Sequence, residues 1–82
     1  MRDFQNKTYW IVGASEGLGR ALAIQLAEAG AKVIISARNE ERLIELSEEL
    51  GSNSLVLPMD VSKESSVRSA YRKLPRTLDG FI

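Results

Sequence analysis

Thr8-Tyr9-Trp10-Ile11-Val12 is a continuous β-branched and aromatic run that Gly13 ends, a length and composition that predict a buried strand. From Gly17 the period changes: Leu18, Ala21, Leu22, Leu26 and Ala29 recur at three- and four-residue spacing, Arg20 and Glu28 fall opposite them, and Gly30 follows as a stop. That spacing predicts an amphipathic helix. Val33-Ile34-Ile35-Ser36-Ala37 reads as a second buried strand. Asn39 is placed to cap a helix whose stripe is Leu43, Leu46 and Leu50, with Gly51 at its end. Ser54-Leu55-Val56-Leu57 is a third apolar run, closed by Pro58. Ser62 then predicts the N-cap of a helix with Val67, Ala70, Tyr71 and Leu74 on one face, stopped by Pro75. Leu78-Asp79-Gly80-Phe81-Ile82 reads as the entry to a fourth strand, cut off after its first residues.

Strands alternating with helices of about ten residues or more predict right-handed crossovers and a parallel sheet, with strands one to three laid outward as 3-2-1 and the fourth returning beside the first. The expected architecture is α/β, β-α-β-α-β-α-β with strand order 3-2-1-4, half of a doubly wound fold. Connections are short and no repeat or linker interrupts them, so residues 1–82 are expected to form one unit. Ligands of such sheets sit beyond the carboxyl ends of the strands where the order reverses, here between strands one and four. The stretch IVGASEGLG, residues 11–19, falls on that spot.

A turn that follows a strand and opens a helix directs the helix's unpaired N–H groups and positive dipole end at whatever lies above the sheet. A diphosphate suits that place. Gly13 would allow the sharp turn, Gly17 close approach of a pyrophosphate to the backbone, and Gly19 tight contact between helix start and sheet. Three glycines this close can also serve a tight turn alone, and it is the strand before and helix after that favour the phosphate reading.

Eleven basic and eleven acidic residues cancel, so no long-range field draws nucleic acid or an anionic membrane. Histidine and cysteine are absent, which excludes thiol catalysis, disulfides, imidazole bases and the usual zinc ligand sets from this chain. The apolar run at residues 9–14 is too short to span a bilayer and residues 2–7 do not read as a signal peptide, so a cytoplasmic protein is expected.

The chain resembles the N-terminal part of the short-chain dehydrogenases/reductases, whose first turn carries Thr-Gly-x-x-x-Gly-x-Gly. Gly13, Gly17 and Gly19 match it, and ARNEERLIEL, MDVS and LDGFI fall where that family has comparable segments. The likeness implies a Rossmann-type NAD(P)-binding domain, here partial. It further implies phosphate and ribose contacts from Ser15, Glu16 and Leu18, and an adenine bordered by Asp60 and Val61. Without the likeness, Asp60 also reads as a turn residue before a helix. Two positions depart from the pattern. Val12 stands in place of the threonine, and Glu16 stands where members that select a cofactor phosphate often carry a basic residue.

The cofactor choice is read at the end of strand two, where a carboxylate would favour a ribose and repel a 2′-phosphate. Ala37 occupies that place and Arg38 follows, so NADP(H) is expected over NAD(H). A solvated arginine beside Glu40 and Glu41 is the competing reading of Arg38. The family's chemistry is hydride exchange between nicotinamide and a carbonyl or alcohol, using a tyrosine with a lysine four residues on. Tyr71 and Lys73 are two apart, and Tyr71 reads as core. The expected function is therefore the cofactor-binding part of an NADP(H)-dependent short-chain oxidoreductase. A small carbonyl or alcohol substrate and the catalytic groups belong to the remainder of that enzyme. The alternative is a non-catalytic module that binds or senses a dinucleotide. Glu41, Glu45 and Glu49 read as a solvated helix surface and Trp10 as a packing residue. With two helices on one sheet face and one on the other, the isolated chain is expected to self-associate.

Overall fold

β1 (Thr8–Val12) lies between β2 (Lys32–Ser36) and β4 (Gly80–Phe81), with β3 (Ser54–Val56) outside β2, and all three pairings are parallel. This is the expected order 3-2-1-4, seen in a computed structural model that describes residues 5–75 and 78–81. Ile82, assigned above to the fourth strand, lies outside them. β1 and β2 align Thr8 with Lys32 through to Val12 with Ser36. Beyond the end of β3 the chain keeps close to β2: Leu57 N–H donates to the Ile35 carbonyl at 2.9 Å and Met59 N–H to that of Ala37 at 3.1 Å. Asp79 docks β4, since its carboxylate accepts from Thr8 N–H at 2.8 Å and its own N–H donates to the Thr8 carbonyl at 2.8 Å.

Side chains alternate across a strand, so the sheet has two apolar faces to cover. Ile11, Val33 and Ile35 pack on one face with Ala23 and Leu26 of α1 (Gly17–Glu28) and Leu43 and Leu46 of α2 (Glu40–Leu50). On the other face Trp10 and Ile34 pack with Leu57, Met59 and Ala70, the last from α3 (Glu64–Arg72). A 3-10 turn at Gly51–Asn53 joins α2 to β3. No helix among the described residues is long and apolar enough to cross a membrane.

Three expectations need correction. Leu18 and Ala21 are exposed, and the buried face of α1 is Ala23 and Leu26 with Leu22, Ile24 and Ala27 alongside. Leu18 sits in the first turn, past the carboxyl end of β1, where no strand lies beneath it. Tyr71 is 69% exposed and is not core. The short α3 seats Ala70 on the sheet with Val67 and Leu74 flanking, and Tyr71 is turned about 100° round the axis from Ala70. Ser62 does not cap α3; Lys63 holds that position without a side-chain bond, because the Ser62 hydroxyl is committed to Asp60. Asn39 does cap α2, its Oδ1 accepting from Arg42 N–H at 3.2 Å.

Trp10 is buried as expected, and its indole N–H donates to the hydroxyl of the fully buried Ser36 at 2.8 Å. Phe81 of β4 meets the same ring edge-on at a centroid distance of 4.8 Å. Removing one partner of a buried hydrogen bond strands the other, whereas removing both does not. Trp10→Phe and Ser36→Ala are each expected to lower unfolding stability by about 1–3 kcal/mol. The double variant should lose less than the sum of the two in denaturant unfolding, and strict additivity would mean that the bond contributes nothing.

Candidate functional site

The β1–α1 turn is held by a single carbonyl. Gly13 N–H donates to Ser36 O at 2.7 Å and Ala14 N–H donates to the same oxygen at 3.1 Å. Gly13 turns the chain with φ 78° and Ala14 is buried beneath the bend. Glu16 is extended, and Gly17 then enters the helix with φ 63°, a left-handed conformation that side chains disfavour. A Cβ on Gly17 would have nothing within 4 Å, so this residue is bare toward open space. Gly19 is bare for the opposite reason, since a Cβ there would collide with the Gly13 carbonyl oxygen. The helix start therefore rests directly on the turn, where the sequence led us to expect contact with the sheet.

The N-termini of α1 and α2, both at this end of the sheet, differ. α2 is capped by Asn39 and carries Glu40 and Glu41 in its first turn, which satisfies its positive end internally. α1 has neither a side-chain cap nor an acidic residue in its first turn. Its unpaired N–H groups face the same opening as Gly17.

A cleft of about 520 Å³ runs from this turn across the carboxyl ends of β1 and β2 to the loop after β3. Gly13, Ser15 and Glu16 line it from the turn, Arg38 from the end of β2, and Asp60 and Val61 from the loop. Ala37, at the place a ribose-binding carboxylate would take, contributes only its small side chain to the wall. Gly17 borders a groove continuous with the turn, Gly19 is packed beneath it, and Leu18 projects outward at 85% exposure. Arg38 makes no ion pair with Glu40 or Glu41. Its charge instead helps to lower the Asp60 pKa.

Two features of the cleft escaped the sequence reading. Arg42 lines it too, and its Nη1 donates to Glu16 Oε2 at 2.9 Å, so the carboxylate that seemed out of place at the turn is paired. The signal was present as a second arginine four residues after Arg38, within the first turn of α2. Ser62 is the other. Its hydroxyl donates to Asp60 Oδ1 at 2.6 Å and its backbone N–H to the same oxygen at 3.0 Å, while Asp60 N–H donates to Ser66 Oγ at 2.9 Å. The two bonds from Ser62, the hydroxyl first, hold the Asp60 carboxyl below its ordinary 3.8, with Arg38 and Lys63 adding to the effect.

A parallel sheet of this order, with a glycine turn opening an uncapped helix at the point where the order reverses, defines a Rossmann-like domain. The short chain dehydrogenase family model matches residues 7–81, and the chain belongs to that family. It is 51% identical over 63 residues to an NADPH-dependent pterin aldehyde reductase of Arabidopsis thaliana, covering 74% of this chain and 26% of that protein. It is 39% identical over 72 residues to the 3-oxoacyl-acyl-carrier-protein reductase FabG of Escherichia coli, covering 88% and 30%. A crystal structure of a 3-ketoacyl-(acyl-carrier-protein) reductase from Brucella melitensis complexed with NADH superposes with a TM-score of 0.80 at 33% identity, over 84% of this chain and 28% of that one. The chain thus spans under a third of the length of each of these relatives.

A carboxylate whose folded pKa is depressed stabilises the fold above its unfolded pKa, and that contribution is lost as pH falls through the folded value. For Asp60 the loss falls below 3.8. Ser62→Ala removes the largest cause, so the Asp60 titration followed by carboxyl-carbon NMR should move up toward 3.8. An unmoved midpoint would exclude the hydroxyl as that cause.

Proposed function

We propose that this chain is the cofactor-binding portion of an NADP(H)-dependent short-chain oxidoreductase whose substrates are small carbonyl compounds or alcohols. The observation that carries the reading is Gly17: left-handed, with open space where a Cβ would stand, beside a helix N-terminus that its own sequence leaves uncapped. A pyrophosphate fits there, accepting from the free N–H groups of the first turn, with the Ser15 hydroxyl in reach of the same groove. Glu16 and Leu18 contribute backbone on either side of Gly17, and Gly13 and Gly19 hold the turn in shape. Asp60 and Val61 form the adenine end, and Arg38 takes the 2′-phosphate that no carboxylate at Ala37 opposes. When bound, the dinucleotide supplies hydride exchange at its nicotinamide. The matched relatives named for NADPH and for a complex with NADH support a dinucleotide at this site, and Arg38 supports NADP(H).

The acid/base step falls to residues of the enzyme outside this chain. Tyr71 and Lys73 are two residues apart, and Tyr71 stands exposed on α3, a helix across the sheet from α1 and α2. The reading therefore also covers the isolated chain: no turnover, weak dinucleotide binding, and association through the thinly covered face. Along the row Phe81, Trp10, Ile34 and Leu55, the central pair is buried while Phe81 and Leu55 are 61% and 49% exposed. A cytoplasmic location accords with the chain's composition.

Calorimetric titration of the protein expressed from its whole coding sequence tests the site. Gly17→Val should abolish binding of both NADP+ and NAD+, with Gly17→Asn, which tolerates left-handed backbone, as a folded comparison that also fills the space. Arg38→Leu should weaken NADP+ by roughly ten- to a hundredfold and NAD+ far less, the range expected of one charge-assisted contact. Wild-type affinity in folded Gly17 variants would overturn the phosphate reading.

The 82-residue chain by itself should show no NADPH oxidation against a carbonyl panel. Light scattering after size exclusion should report a mass above the 9.1 kDa monomer. A clean monomer would remove the association proposal, and turnover of any aldehyde or ketone would remove the assignment of catalysis to other residues.

A further inference from the structure

Arg42 and Glu16 come from separate elements, 26 residues apart, and meet over the same cleft that Arg38 and Asp60 line. Their side chains are 53% and 75% exposed, which makes the pair an exchangeable surface contact contributing little to stability. Fold maintenance therefore does not account for it. Its placement has a consequence for charge. An unpaired carboxylate at residue 16 would oppose a phosphate at the adenosine end, whereas the pair presents the outer side of a guanidinium instead. Arginine has five N–H donors in a planar fork, and the contact to Glu16 employs only Nη1. The backbone N–H of Arg42 is taken by Asn39, which anchors the residue in the first turn of α2 while its side chain reaches across to the β1–α1 turn.

We propose that Arg42 is a second specificity-determining residue for the cofactor's 2′-phosphate, acting with Arg38, and that Glu16 is its positioning residue, holding the guanidinium over the cleft. The proposal rests on the assignment of the cleft to the adenosine end of the dinucleotide. A phosphate monoester carries close to two negative charges at neutral pH and three acceptor oxygens, so it can engage two guanidiniums from opposite sides. Glu16 carries a single charge. With Nη1 kept on Glu16, the remaining donors of Arg42 are available to the phosphate, and the carboxylate stays screened behind the cation. A cofactor lacking the phosphate leaves the Glu16–Arg42 pair as it stands. In this chain the cation expected at the glycine turn is thus delivered from α2, by way of an acid, rather than encoded in the turn.

Calorimetric titration of the whole protein with NADP+ and NAD+, on wild type, Arg42→Leu, Glu16→Gln and the double variant, tests the proposal, with circular dichroism confirming that each folds. Arg42→Leu should lower the preference for NADP+ by about tenfold or more while moving the NAD+ affinity by no more than about twofold. Arg42→Lys should recover only part of it. The double variant is decisive: if Arg42 binds the phosphate, the preference stays about tenfold below that of Glu16→Gln alone, whereas a purely neutralising role would restore it to that level. Restoration, or an unchanged preference in Arg42→Leu, overturns the proposal. A wild-type protein that binds neither dinucleotide overturns the cofactor reading itself. Binding of both, with the preference lost in Arg38→Leu and untouched in Arg42→Leu, overturns only the role of Arg42.

Discussion

Everything in the site hangs on Ser36. Its carbonyl accepts the N–H groups of Gly13 and Ala14, and its buried hydroxyl accepts the indole N–H of Trp10. The first contact fixes where the β1–α1 turn sits relative to the end of β2, and so sets the width of the cleft between the glycine turn and Arg38. The second locks the same residue through its side chain, on the face that carries Trp10 and Ile34. Each bond contributes on the order of 1 kcal/mol net, but a buried donor left without an acceptor costs more than that, which makes the Trp10 contact expensive to lose. A strand residue with a short polar side chain is needed here. A larger one would displace Trp10, and an apolar one would strand its indole.

The elements were legible because each sheet face and each helix stripe leaves a periodic trace. Ile11, Val33 and Ile35, and Leu43 and Leu46, lie where their spacing put them. The errors arise where tertiary surroundings override local period. Leu18 and Tyr71 fit their helical stripes, but the first projects past the end of the sheet and the second past the narrow seat of Ala70, and periodicity does not say where a sheet stops. Ser62 has the right chemistry for a cap but lies one residue before the cap position, and its hydroxyl is taken by Asp60 two residues earlier. The glycine turn was legible for a different reason, since backbone conformations closed to other residues leave a mark in the sequence itself. Of the Glu16–Arg42 contact only the second arginine was legible, because its meeting with Glu16 joins residues far apart and depends on how α1 and α2 are set on the sheet.

That setting shows in the charges. Arg20 donates to both carboxylate oxygens of Glu49, and Arg42 donates to Glu16, so two ion pairs of opposite sense bridge α1 and α2 on the solvent side of Leu43 and Leu46. Both pairs are largely exposed and add little to stability, where the apolar contacts beneath them dominate. What they do is orient. Glu16 holds the N-cap position of α1 and Arg20 lies four residues on with the opposite sign, so the two pairs match α2 to α1 in one relative placement.

The cleft has a formal balance of zero, with Glu16 and Asp60 against Arg38 and Arg42. Net charge therefore does not decide what it attracts, and the commitments of each group do. Asp60 is engaged by the hydroxyl and backbone N–H of Ser62, and its lowered pKa keeps it ionised without leaving its bonded oxygen open to a ligand. Glu16 is engaged by Arg42. Arg38 is engaged by no carboxylate among the described residues, and the fork of Arg42 is only partly used. Each acid thus has one oxygen engaged, while among the described residues Arg38 is unpaired and Arg42 keeps donors to spare. A site that is neutral by count faces its ligand as a positive surface at the end of β2, next to the N–H groups of an uncapped helix at the end of β1. Two separate sources of positive potential, one from side chains at the end of β2 and one from backbone at the end of β1, stand side by side along the cleft, an arrangement that suits a ligand with anionic groups at two points better than any ligand with one.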